Sequence, residues 1–201
     1  MKKQVLLIAI AIFSFGVMNA QEIKFGAKAG VNFASIGGDN TDGVEGLTGF
    51  HIGGLVEILF TEKFGIQPEI VYSAQGASLE QVAANVTATQ KTKLDYINVP
   101  ILGKYYITNA LSVEAGPQIG FLASANAETE VSNGTDVPDV DIKDVTSSTD
   151  FAIAAGASYR LPMGVFFSAR YNIGISDIND TSLTNASNQN NVAQLSVGYS
   201  F

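Results

Sequence analysis

Between residues 23 and 201, runs in which apolar side chains return at every second position recur, and the i, i+3, i+4 rhythm of an amphipathic helix is never sustained. Alternation of this kind specifies strands with one apolar and one polar face. In IKFGAKAGVNFA (23–34), Phe25, Ala27, Ala29, Val31 and Phe33 face one way, and Lys24, Gly26, Lys28, Gly30 and Asn32 the other. Seven further runs follow the rule, at 49–60, 64–75, 94–107, 111–123, 150–161, 164–175 and 191–201. The fourth is the least regular, which predicts one bulge near Asp95 to Asn98. Proline removes a ladder donor, so Pro68, Pro100 and Pro117 are expected at bulges or rim positions.

The connections alternate in length. Thr61-Glu62-Lys63, Thr108-Asn109-Ala110 and Pro162-Met163 are tight hairpin turns, whereas 35–48, 76–93, 124–149 and 176–190 are long and rich in Gly, Asn, Asp, Ser and Thr. One end of the sheet is trimmed and the other elaborated, as in outer-membrane barrels. The expected fold is all-β, an eight-stranded antiparallel up-and-down transmembrane β-barrel. Strands of about 11 residues, tilted near 45°, rise roughly 25 Å, the height of the apolar band of such barrels.

Three features place the apolar face outside rather than in a soluble core. Eight strands enclose little more than a packed core, too small for so many large apolar side chains. The polar face is mostly small residues, with isolated charges of both signs at Lys28, Glu57, Glu69, Lys104, Glu114, Arg160 and Arg170, which suits a narrow lumen held by a structural ion network. Aromatics gather near both ends of the runs. Phe25, Phe60, Phe64, Tyr105, Tyr159 and Tyr199 lie toward the short turns, and Phe33, Phe50, Tyr72, Phe121, Phe151 and Tyr171 toward the long loops.

The leader MKKQVLLIAIAIFSFGVMNA has the basic, apolar and small-residue zones of a secretory signal peptide, predicting domains at 1–20 (signal) and 21–201 (barrel). The full chain carries a formal net charge of −8; with Lys2 and Lys3 removed it is more acidic still, which argues against a nucleic-acid partner. There is no cysteine, hence no disulfide and no thiolate site.

FGIQPEIVYSAQGA (64–77), LDYINVPILGKYYI (94–107) and the terminal NVAQLSVGYSF resemble the PorT-like outer-membrane barrel family common in Bacteroidetes; the Tyr-Ile-x-Val-Pro-x-Leu-x-Lys pattern at 96–104 is the most specific part. The resemblance implies an eight-stranded barrel in the outer membrane. The family's namesake takes part in type IX secretion, and most members have no assigned role. The final Tyr199 and Phe201 also resemble the C-terminal signal read by barrel-insertion machinery, while pairing of the last strand with Ile23 to Ala34 would close the ring.

Catalytic chemistry has little support. His51 is the only histidine, and a general-base role needs a nucleophile and an orienting acid beside it. The segment 127–150 carries Glu128, Glu130, Asp136, Asp139, Asp141, Asp144 and Asp150 against Lys143, without the spacing of a calcium loop. GGDNTDGVEG in the first loop has suitable residue types in the wrong register. No catalytic, cofactor or metal residue is assigned. The expected function is structural or interactive, through external loops that meet an envelope protein or a surface polymer. Alternatives are a narrow passive channel, an accessory role in type IX secretion, and a lipid-modifying enzyme in which His51 joins a nucleophile and an acid at the rim.

Overall fold

The computed structural model describes residues 22–39, 41–83, 86–132, 137–179 and 187–201; the leader 1–20 and Asp136 lie outside the described residues. Its strands are β1 (Glu22–Gly38), β2 (Val44–Leu59), β3 (Phe64–Ala83), β4 (Val86–Tyr106), β5 (Leu111–Val131), β6 (Val140–Asp141), β7 (Thr149–Arg160), β8 (Val165–Gly174) and β9 (Asn188–Ser200). Eight of them form a closed antiparallel ring, β1-β2-β3-β4-β5-β7-β8-β9, and β9 returns to β1 from Gly26↔Ser200 to Gly38↔Asn188. The two-residue β6 only adds to the flank of β5 at Asn126 and Ala127.

The faces sort as the alternation requires. Outward side chains are apolar and exposed, such as Phe25, Ile52, Ile70, Ile153 and Leu195, while Lys28, Asn32, Glu57, Glu69, Asn98 and Arg170 turn into the ring and are buried. The aromatics named above lie on the outside in two belts, with ring pairs Phe64–Tyr105 at 4.9 Å and Phe50–Tyr72 at 5.6 Å.

The strands run further toward the loop end than the alternation shows. The expected loop 76–93 is a continuation of β3 and β4, paired from Gly76↔Lys93 to Ala83↔Val86, and β5 follows β4 up to Ala88↔Val131. The first loop likewise shrinks, because β1 reaches Gly38 and β2 starts at Val44. Past the outer aromatic belt both faces of the raised β3–β4–β5 wall meet water, so no apolar period marks it in the sequence. Ion pairs Lys91–Glu130 and Lys93–Glu128, each 2.6 Å, tie β4 to β5 there. Gly76 is required in this wall: its φ is +142°, and the Thr92 carbonyl occupies the place a Cβ would take.

Bulges lie between β2 and β3, at Gly46 to His51, and between β4 and β5, at Asp95 to Tyr96. The second matches the predicted region, but the surplus residue is Ala123 on β5, because Asp95 pairs Ser124 and Tyr96 pairs Leu122. The prolines depart from expectation. Pro68, Pro100 and Pro117 sit inside strands with the register unshifted around them. The ladder instead skips from Pro68↔Ile101 to Val71↔Asn98, and from Pro100↔Gln118 to Gly103↔Ala115. Each strand is held on both sides by neighbours, so a missing donor interrupts pairing without forcing a bulge.

Candidate functional site

All seven charged residues expected in the lumen are there, and they form one linked network. Glu69 of β3 is its centre. Lys28 Nζ lies 2.7 Å from Glu69 Oε2, while Arg170 donates from Nη1 to Oε2 and from Nη2 to Oε1, each at 2.8 Å. Arg170 also donates to Glu114 Oε1 from Nε (3.0 Å) and Nη2 (2.6 Å). Toward the short turns, Glu57 accepts the Tyr106 hydroxyl and the Arg160 guanidinium and lies 3.5 Å from Lys104 Nζ. Gln67 joins the two halves, accepting from Lys104 at 2.9 Å and donating to Glu69 at 2.7 Å. Gln67 and Tyr106 were not singled out from the sequence; both occupy inward positions of their strands. Buried charges persist only when paired and hydrogen-bonded, a condition Glu57, Glu69 and Glu114 meet.

His51 lies deeper than a rim site. Its Nδ1 is 2.8 Å from Asn32 Oδ1 and its Nε2 is 2.7 Å from Ser196 Oγ. Asn32 Oδ1 can only accept, so the proton belongs on Nδ1, and Nε2 accepts from the serine hydroxyl. The order serine, imidazole, amide is that of a nucleophile, a base and an orienting group. The strand register explains how they meet: inward Gly30 pairs with His51 on one side and Ser196 on the other, and a Cβ at Gly30 would come 2.7 Å from His51 Cε1. The surroundings are those of a packing anchor. His51 is 1% exposed and Ser196 8%, and Asn32 Nδ2 is spent on the carbonyls of Phe50 and Ala74 and on the Ser73 hydroxyl. The enzyme alternative had required an acid and a rim position; Asn32 is neutral and the group is interior.

Above this layer an apolar cluster of Leu94, Tyr96, Leu122, Ala125 and Ile178, flanked by Ile36 and Ile142, caps the lumen. On the cap rests a cleft of about 370 Å³, walled by the raised β3–β4 strands on one side and by Ile142, Val145 and Thr146 with Ile178, Asn179 and Asn188 on the other. Those connections are stitched together. Asp177 Oδ1 accepts the amides of Asn179 and Asn188, both at 3.0 Å, and Asp39 Oδ2 accepts the amide of Ser187 at 3.1 Å. Partial desolvation pushes the Asp177 carboxyl upward, but the amides of Asn188 and Asn179 outweigh it and hold it below the ordinary aspartate value.

The acidic segment is dispersed. Glu128 and Glu130 serve the β4 lysines, Asp141 Oδ1 accepts the Lys143 amide at 2.8 Å, and Asp150 is buried at the start of β7, accepting from Ser176 Oγ at 2.7 Å. Among the described residues no His, Cys, Asp or Glu group gathers as a metal site. At the chain's end the Phe201 amide donates to the Phe25 carbonyl at 2.8 Å, and the Tyr199 and Phe201 rings meet edge-on at 5.1 Å.

Residues 19–180 match a protein family described as the outer membrane protein beta-barrel domain. Among solved structures, the chain is similar to Neisserial surface protein A (TM-score 0.57, 12% identity, 91% of this chain and 100% of that chain). It is also similar to Ail, the attachment invasion locus protein of Yersinia pestis (TM-score 0.50, 14% identity, 90% and 99%), which has been solved with the heparin analogue sucrose octasulfate. No curated protein matches the chain.

Proposed function

The chain belongs to the outer membrane protein beta-barrel family and resides in the outer membrane, and from that premise we propose that it is a closed, non-enzymatic barrel working through its loop end. Residues 1–20 export it, the short turns face the periplasm, and the raised wall and long connections face outward to an envelope protein or a surface polymer. The observation that carries this reading is the filled lumen. Ions would have to cross the apolar cap of Leu94, Tyr96, Leu122 and Ile178 and then break a buried network centred on Glu69. The lumen charges are thus structural, which speaks against a passive channel. The pattern at 96–104 supports placing the chain in the PorT-like branch. The loop end bears mainly carboxylates, so a polyanion like the one bound to Ail is a poor fit here.

Two measurements on the refolded protein test the reading. In planar bilayers wild type is expected to give no conductance steps; steady channel current would overturn closure. A fluorophosphonate probe is expected to leave Ser196 unlabelled, and labelling abolished by Ser196→Ala would overturn the absence of catalysis.

A further inference from the structure

We propose that the lumen beneath the cap holds a buried monovalent cation of the sodium or potassium kind, bound by Asp150, Asn98 and Tyr96. The inference goes beyond the closed-barrel reading, because it assigns a ligand to an interior place outside the ion network. Asp150, at the start of β7, is 4% exposed and accepts from Ser176 Oγ at 2.7 Å. Among the described residues it has no ion-pair partner, whereas Glu57, Glu69 and Glu114 each meet a cation. A buried carboxylate without a counter-charge is costly enough that it takes up either a proton or a cation.

The atoms beside Asp150 favour the cation. Register sets Asn98 opposite Gly120 and Gly120 opposite Asp150, so the inward glycine leaves a gap between the amide and the carboxylate. A Cβ at Gly120 would lie 2.6 Å from Asn98 Oδ1, 3.3 Å from Tyr96 Cδ1 and 3.5 Å from Asp150 Cβ, so all three side chains border the same space. The next inward residues of β7, Ala152 and Ala154, are small as well. Asn98 Oδ1 and the Tyr96 hydroxyl are buried without a hydrogen-bond partner, on residues 2% and 0% exposed. An amide oxygen only accepts, so what it lacks is a donor or a positive charge. Carboxylate, carbonyl and hydroxyl oxygens are the ligands of hard cations; one carboxylate balances one charge, whereas calcium takes six to eight oxygens. A proton on Asp150 reaches one of the other two oxygens, while a cation set among them reaches both. Ser176, which holds Asp150, lies two residues before Ile178 of the cap, so an ion there also steadies the cap.

The test uses the full barrel. Crystals grown in rubidium chloride are expected to show an anomalous peak bounded by Asp150, Asn98 and Tyr96, and crystals of Asn98→Leu to lack it. In liposomes near neutral pH and at constant ionic strength, exchanging choline for sodium or potassium is expected to raise the urea midpoint of the wild type with the logarithm of the cation concentration. Asp150→Asn is expected to lose that dependence. A wild-type crystal without the peak, or an equal response in Asp150→Asn, would overturn the ion. So would a wild-type midpoint indifferent to the cation but raised by mild acid, which would give the carboxylate to a proton. A response to calcium alone would overturn the monovalent class. Should Asp150→Asn fail to fold, the wild-type rubidium crystals and midpoints decide. Any of these failures with electrically silent bilayers leaves the closed-barrel reading standing, whereas conducting bilayers would overturn that reading independently.

Discussion

Glu69 holds two cations at once, and so it is the residue whose loss should be felt most. Its carboxylate takes Lys28 on one oxygen and a two-pronged contact from Arg170 across both. Replacing it by leucine leaves two buried cations to share Glu114, and breaking a buried pair costs roughly 3–5 kcal/mol. Glu69→Leu is therefore expected to lower the unfolding free energy of the barrel in liposomes, read from urea titration, by that order, with Glu69→Gln losing less because it still accepts. A companion Lys28→Met in the Glu69→Leu background should recover part of the loss, since it removes one stranded charge. Equal stability of wild type and Glu69→Leu would show that the network does not hold the barrel. The charged members of this network were legible as inward positions of alternating strands. Their pairing was not, because Lys28, Glu69, Glu114 and Arg170 come from four strands, and only the ring's register brings them together. The same holds for His51 and Ser196, 145 residues apart. The signal that could have found them is an inward glycine, Gly30, between two strands whose registers meet at it.

At the scale of the element, the sequence marked strands well where one face meets lipid and poorly where both meet water. The raised β3–β4–β5 wall was expected as loop for that reason, and the prolines were misplaced because bulges are the usual refuge of proline in sheets with edges. Their actual setting makes a local weakness. Pro68, Pro100 and Pro117 lie on three adjacent strands where ladder pairs are skipped. Hydrogen exchange of the inserted barrel should be faster at the Ile70, Val99, Leu102 and Gly116 amides than at Ala27 to Val31, where β1 is paired on both sides. Uniform protection across both regions would mean that the gaps are bridged by contacts other than the ladder.

At the scale of the whole molecule, the ring and the wall above it depend on different interactions. The ring is sealed along β1 and β9 and filled by its ion network, whereas the tip of the wall contributes only the pairing of Glu80–Ala83 with Val86–Thr89 and of β4 with β5. Replacing residues 80–89 with an Asn-Gly turn is expected to leave insertion intact and to change the unfolding free energy by less than about 1 kcal/mol, the order expected for exposed changes. A variant that no longer inserts would place the wall among the elements that build the ring. The network itself has a further consequence for how the ring closes. A slip of one residue between neighbouring strands exchanges the lipid and lumen faces and is excluded by hydrophobicity alone, but a slip of two restores both faces. The pairing of Lys28 and Arg170 with Glu69 and of Arg170 with Glu114, together with the fit of Gly30 between His51 and Ser196, distinguishes the native closure from that look-alike, because a two-residue slip separates these partners inside the lumen. The lumen therefore reads register across the seam as well: β9 brings no charge of its own, and its Ser196 reaches His51 only in the native pairing with β1.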